Sequence, residues 1–287
     1  MATEKKARNE ETVERFTLAQ RIEHWVLVVA FTGLAITGLP QKFALQPWAE
    51  TMIGIMGGIE AVRVIHRVLA TLLMLEVIYH GGVTTYRLFV LRLPPYMLPA
   101  FSDFVHLFQQ ITFNLGLRQE RPRMDRFNYE EKLEYWAVVW GTMVMVITGF
   151  MLWNPIATTR FLPGQFIPAA KTAHGGEALL AVLSIITWHV YSVHVRHFNP
   201  SMFSGKISRH AMEEEHALEL ARIEAGRVPQ PPAAAVYRKR MRAFIPFALF
   251  MTALLVAALV WFVTFEETAI TTIPPVEVEV VPPELQQ

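Results

Sequence analysis

Phe244-Ile-Pro-Phe-Ala-Leu-Phe-Met-Thr-Ala-Leu-Leu-Val-Ala-Ala-Leu-Val-Trp-Phe-Val-Thr-Phe265 is a run of 22 residues without a charge. At about 1.5 Å per residue, a helix of that length crosses the roughly 30 Å hydrocarbon core of a bilayer. Trp25 to Gln41 and Tyr135 to Trp153 are shorter runs of the same kind. The 287-residue chain is 53% hydrophobic, and its apolar residues are bunched rather than spread evenly. Five spans are expected, near 25–45, 66–90, 135–154, 174–195 and 243–265. The second and fourth carry ionisable residues, which lowers their hydropathy.

Charge sorts with this count. The tail before the first span holds Lys5, Lys6, Arg8, Arg15 and Arg21. Seven more Lys/Arg lie between Arg87 and Lys132, and nine between Arg196 and Arg242. With five spans these segments share one side, and none of the 26 Lys/Arg follows Arg242. The positive-inside rule predicts a cytoplasmic N-terminus and an outer C-terminus. The first 23 residues are polar and charged, so the first span is expected to act as its own insertion signal. Cysteine is absent. Structural disulfides, cysteine-held iron–sulfur clusters and covalently attached c-type haem are therefore excluded.

Between spans two and three, Leu93-Pro94-Pro95 and Pro99 break the second helix. Phe101, Phe104, Val105, Phe108, Ile111 and Leu115 then recur at helical spacing. This predicts an amphipathic helix near 100–116 in the cytoplasmic interface, against lipid. A soluble helix is expected over Ser208 to Gly226, then a Pro/Ala linker from Val228. From Thr268 the chain is Pro/Val/Glu-rich, without the means to form a core. No internal repeat is evident. The domain reading is a four-helix unit over 1–200, a cytoplasmic helix and linker over 201–242, a fifth span over 243–265 and an outer tail over 266–287.

Ionisable residues inside spans are functional candidates by default. Span two carries His66 and His80, 14 residues apart; span four carries His174 and His189, 15 apart. Fourteen residues of helix rise about 21 Å and return to within about 40° of the same face, while fifteen miss by about 60°. Each helix can thus present one imidazole near each membrane surface, as two haems stacked across a bilayer require. His24, at the start of span one, shares its depth with His80 and His189, so three histidines compete for two inner places. Only His66 and His174 lie at the outer depth. For His80 the competing reading is a hydrogen-bonded pair with Glu76, one turn earlier. His194, His197, His210 and His216 read as solvated.

Arg21-Ile22-Glu23-His24-Trp25 with Thr37-Gly38-Leu39 resembles the first helix of the cytochrome b subunits of formate dehydrogenases, nickel–iron hydrogenases and thiosulfate reductases. His66-Arg67 with Tyr79-His80 is similar to that family's second helix. The stretch from Arg126 to Trp136, with Trp140-Gly141 and Thr148-Gly149, resembles its third, and His174 with His189-Val190-Tyr191 its fourth. The resemblance covers about residues 15–200. It implies two haem b groups, His24 with His189 on the cytoplasmic side and His66 with His174 outside. It also implies menaquinone or ubiquinone beside the inner haem, with Asn114 and Gly116 helping to form that site. A helix C-cap is the competing reading of those two residues. Beyond residue 200 the chain resembles longer relatives that work with multihaem c-type cytochromes.

The expected fold is an all-α integral membrane four-helix di-haem bundle plus a fifth C-terminal transmembrane helix. The expected function is electron transfer across a prokaryotic inner membrane. It links a cytoplasmic-side quinone to an extracytoplasmic redox subunit, an iron–sulfur protein or a multihaem cytochrome c. The chain would then be the quinone-reactive subunit of an oxidoreductase complex. Glu76, Asp103, His106, Glu130 and Glu134 are candidates for proton relay. No nucleic-acid partner is expected. The competing readings are a non-redox membrane anchor and an ion transporter; the latter lacks the broken spans in repeated halves that transporters show.

Overall fold

A computed structural model describes residues 11–196 and 198–267. His197 and the tail from Thr268 lie outside the described residues. The elements in chain order are β1 (Thr12–Glu14), α1 (Leu18–Lys42), α2 (Pro47–Ile55), α3 (Ile59–Phe89), α4 (Phe101–Asn114), α5 (Tyr129–Trp153), α6 (Pro155–Thr159) and α7 (Phe166–Ser184). Helix α7 continues without a break as a π-helix, Ile185–Arg196. Then come α8 (Ser201–Ser204), β2 (Lys206–Ser208), α9 (Arg209–Glu215), α10 (Ala217–Glu224) and α11 (Ala234–Thr264).

Local chemistry sets the helix starts. Thr17 caps α1 through a capping box with Gln20, and Asn128 caps α5 through one with Glu131. Both boxes satisfy amide groups that a helix start leaves bare. The helices begin several residues before the apolar runs, because their first turns carry the charged residues of the membrane edge. Helix α3 ends at Phe89, ahead of Pro94-Pro95, as a residue preceding proline disfavours helix.

Helices α1, α5, α7 with its π extension, and α11 are each long and apolar enough to cross a membrane. Helix α3, with 31 residues, carries Arg67, Glu76 and two histidines within its apolar stretch. It packs between α1 and α11, α5 packs on α7, and α7 also packs on α1. The apolar face of α4, with Phe101, Phe104 and Phe108, is uncovered by protein, as an interfacial helix requires.

The hairpins α1–α3 and α5–α7 repeat one pattern, contrary to the expectation of no internal repeat. Glu23, Trp25, Val28, Ile36, Thr37 and Gly38 in α1 recur 111 positions later as Glu134, Trp136, Val139, Ile147, Thr148 and Gly149 in α5. The contacts repeat as well. The indole N–H of Trp25 donates to the Met202 carbonyl at 3.2 Å, and that of Trp136 to the Met97 carbonyl at 2.8 Å. Most other positions differ, which hides the repeat in the sequence.

The end of the bundle where α1 starts carries the basic segments and a small lobe. β1 pairs antiparallel with β2 in a short two-stranded ribbon beside the all-α bundle. Ile207, Met212 and Leu220 pack with Val13 beneath this pair. The soluble helix expected over 208–226 is broken at His216, into α9 and α10. His216, expected to be solvated, is only 1% exposed. Its Nδ1–H donates to the Asp125 carbonyl at 2.9 Å, and Nε2 lies 3.2 Å from the Arg15 guanidinium. Arg15 is also buried and bonds Glu131 at 3.1 Å. The break turns His216 inward, and burial pushes its pKa down to about 4.

Candidate histidine-pair site

Helix α3, and α7 with its π extension, each present two imidazoles toward α1 and α5. At the end away from the basic segments, the rings of His66 and His174 face each other with centroids 6.4 Å apart. Each ring is held at Nδ1 by a threonine of the neighbouring helix. The Thr37 hydroxyl donates to the Gly33 carbonyl at 2.8 Å and accepts from His66 Nδ1–H at 2.8 Å. The Thr148 hydroxyl donates to the Val144 carbonyl at 2.6 Å and accepts from His174 Nδ1–H at 2.9 Å. A hydroxyl already donating to its own helix is left as an acceptor, so both rings are N–H tautomers at Nδ1 with Nε2 free to bind. The next residue is glycine in both helices. A Cβ at Gly38 would stand 3.1 Å from His66 Cε1, and one at Gly149 would stand 3.5 Å from His174 Cε1. At Gly38 a side chain would crowd the ring, and His66 would have to give by a few tenths of an ångström.

At the basic end, His24 on α1 faces His189 on the π-helix, with centroids 6.3 Å apart. His189 Nδ1–H donates to Glu134 Oε2 at 2.8 Å. The buried Nδ1 of His24 has no hydrogen-bond partner. The π-helix explains how a spacing of fifteen residues works. Its i→i+5 turns absorb an extra residue, so His189 returns to the face that the fourteen-residue spacing reaches in α3.

His80 does not join this pair. Its Nδ1–H donates to Glu23 Oε2 at 2.9 Å, and its Nε2 accepts from the Tyr135 hydroxyl at 3.2 Å, with Thr84 Oγ1 at 3.4 Å. The carboxylate partner is Glu23 on α1 and not Glu76, which the competing reading paired with it, although ligand atoms of Glu23, Glu76 and His80 all lie within 4.8 Å of one another. Asn114 and Gly116 sit at the exposed end of α4. There Asn114 Oδ1 accepts from Gln110 at 2.8 Å, and Gly116 takes a left-handed φ of 73°, the geometry of a helix C-cap. Asp103 caps α4 and pairs with Lys132 at 2.9 Å, and Glu130 accepts from the Tyr129 hydroxyl at 2.9 Å. His106 on α4 is partly buried, which lowers its pKa.

The two facing pairs have the right dimensions for a shared metal. With about 2.0–2.1 Å per metal–imidazole bond and about 1.1 Å from nitrogen to ring centre, two rings on opposite sides of one ion have centroids roughly 6.3 Å apart. Unpaired nitrogens, backing Nδ1 partners and glycine-cleared surface add to the fit with an iron macrocycle. A family model described as prokaryotic cytochrome b561 matches residues 15–205, which contain all four histidines.

The chain belongs to the prokaryotic cytochrome b561 family.

Membership makes it a multi-pass membrane cytochrome of the haem b, electron-transfer kind. It is 20% identical over 214 residues to the cytochrome b556(Fdn) subunit of the nitrate-inducible formate dehydrogenase of Escherichia coli K12, covering 74% of this chain and 92% of the relative. It is 23% identical over 186 residues to the cytochrome b556(fdo) subunit of formate dehydrogenase from the same strain, covering 63% of this chain and 79% of the relative. The chain thus extends beyond what these relatives match.

Sequence reasoning gave no role to four residues that hydrogen-bond these histidines: Thr37, Thr148, Glu23 and Tyr135. A signal for them exists, since Glu-His-Trp and Ile-Thr-Gly in α1 reappear as Glu-Tyr-Trp and Ile-Thr-Gly in α5.

Proposed function

We propose that this cytochrome carries two b haems, one held by His24 and His189 and one by His66 and His174, and links a membrane quinone to an extracytoplasmic redox subunit. The two imidazole pairs, 6.3 Å and 6.4 Å between centroids, carry this reading. A haem held by each of these imidazole pairs would supply a one-electron carrier. Thr37 and Thr148 orient the outer rings, and Glu134 orients His189. The bundle's apolar side chains hold the dielectric low around both places, which tunes potential along with the hydrogen bonds.

The segments rich in Lys and Arg support a cytoplasmic basic end, which with five spans has the N-terminus inside and the C-terminus outside an inner membrane. The 1–200 bundle then forms the redox unit, 201–242 a cytoplasmic lobe and linker, and α11 the added span. The relatives are named as formate dehydrogenase subunits, so a membrane subunit of an oxidoreductase complex is the natural setting. An iron–sulfur protein or a multihaem cytochrome c outside would be the partner.

A pyridine haemochrome assay on the purified full-length chain tests the reading. Two haems per chain are expected, with His24→Ala and His66→Ala each losing one and His80→Ala keeping both. A folded wild type without haem would sink the redox function and leave a membrane anchor; loss with His80→Ala instead of His24→Ala would overturn the inner pairing.

A further inference from the structure

The repeat between the two hairpins reaches the outer edge of the bundle, where it sets one cation on each side of the His66–His174 pair. Lys42 in α1 matches Trp153 in α5, 111 positions on, and Arg67 in α3 matches Gly175 in α7, 108 positions on, as His66 matches His174. Both matched contacts are made. A Cβ added at Gly175 would stand 2.9 Å from Lys42 Nζ, so that ammonium lies against α7. The Arg67 guanidinium lies over the Trp153 ring, 4.1 Å from its centroid. Contacts exchanged in this way are the mark of a two-fold relation. The cation comes from α1 on one side and from α3 on the other.

Both contacts border the outer imidazoles. Arg67 and Gly175 directly follow His66 and His174. Lys42 and Trp153 stand one helical turn, about 6 Å, beyond Gly38 and Gly149, whose bare faces meet those two rings. Residues four apart share a helix face, so Lys42 and Trp153 continue the haem-facing side of α1 and α5 toward the outer surface.

Three donors there are left without a full partner. Lys42 makes no ion pair or hydrogen bond among the described residues; its ammonium lies 5.6 Å from the centroid of the adjacent Phe43 ring. Trp153 Nε1–H is buried and has no hydrogen-bond partner, although a buried indole N–H usually finds one. Arg67, 35% exposed, meets Glu266 at 3.5 Å, longer than a direct hydrogen bond, which leaves most of its five N–H groups open.

Resting on the assignment of a haem to His66 and His174 above, we propose that Lys42 and Arg67 hold the two propionates of the outer haem, one each, with Trp153 Nε1–H adding a hydrogen bond on the Arg67 side. Haem b carries two propionates on one edge, so two cations exchanged by a two-fold suit that edge. A ligand with a single carboxylate would use one of them. Charge-assisted hydrogen bonds of this kind are short and strong. The two positive charges also offset carboxylates that favour ferric iron, which keeps the outer haem easier to reduce. Glu266, at the root of the C-terminal tail, brings the end of α11 to the same edge.

The test uses the haem-loaded full-length protein, with a redox titration beside the propionate bending modes in the resonance Raman spectrum. Lys42→Gln and Arg67→Gln are each expected to change a propionate mode. Each should also shift the outer haem about tenfold toward the oxidised form at fixed potential, about 59 mV for one electron. Trp153→Phe should change the mode with a smaller shift. Arg63→Gln is the control, one turn earlier on α3 and paired with Glu60 at 2.7 Å; it should change neither. If Arg67→Gln sheds the outer haem, Arg67→Lys should hold it. Unchanged propionate modes in Lys42→Gln and Arg67→Gln, equal effects in Arg63→Gln, or no rescue by Arg67→Lys would overturn the proposal. Failure of the underlying haem assignment looks different: His66→Ala with as much haem as wild type.

Discussion

Alanine at Gly38 and alanine at Gly149 are the same change at repeat-related positions, yet they should have different effects. At Gly149 the new methyl would meet His174 Cε1 at 3.5 Å, an ordinary contact. At Gly38 it would meet His66 Cε1 at 3.1 Å, about 0.3 Å inside ordinary contact. The His66 ring must turn or retreat by that amount, whereas metal–ligand distances tolerate only about 0.2 Å. Its bond to the Thr37 hydroxyl, 2.8 Å long, is strained by the same movement. Losing a backing partner of a ligating histidine typically costs 10–100-fold in metal affinity. We therefore expect Gly38→Ala to retain the inner haem and to lose the outer one on mild dilution or detergent washing, about tenfold faster than wild type or more. Gly149→Ala should hold both. Haem content by pyridine haemochrome, beside a reduced-minus-oxidised spectrum, reads the result. Full retention in Gly38→Ala, or equal loss in both variants, would refute the packing argument and the assignment of His66 with it.

Glu134→Gln should raise the midpoint potential of the inner haem, since a carboxylate behind His189 makes the imidazole a stronger donor and favours the oxidised iron; a redox titration checks the direction, with the outer haem as internal reference. His216 makes the cytoplasmic lobe acid-sensitive. Its folded pKa of about 4 lies below the 6.5 of the free side chain, so stability present above pH 6.5 falls as pH drops toward 4, by at most about 3 kcal/mol. Hydrogen exchange of residues 206–224 at pH 7.5 and 5 should show this loss, and His216→Gln should flatten it. Asn128→Ala removes the cap of α5 and should cost about 1 kcal/mol in a thermal melt, together with the ordering of Glu131 that Arg15 uses.

Much of the bundle was legible because its determinants are local. A charge-free run as long as a bilayer is thick has few alternatives, and paired prolines stop a helix wherever they occur. The depth of each histidine follows from counting residues along a helix. The facing of His66 and His174 was legible too, since no other histidine shares their depth. The repeat was not, because six matching residues scattered through an α1 segment carry little weight until the contacts of Trp25 with Trp136, and Thr37 with Thr148, are seen to match.

What sequence alone determined, then, is the set of helices, their order and the height of each imidazole, all properties of one segment at a time. Tertiary structure alone decided which imidazoles meet. His24 and His80 stand at the same height. They are separated only by the rotation of α1 and α3 about their axes, which packing of α1 on α7 and of α3 on α1 and α11 sets. The choice fell to His24 because Glu23 and Tyr135 occupy both nitrogens of His80. The π-helix that brings His189 into register is likewise a response to neighbours. The inward turn of His216 has the same origin: Arg15, Asp125 and Glu131 are distant in the chain and converge on it only in the folded lobe.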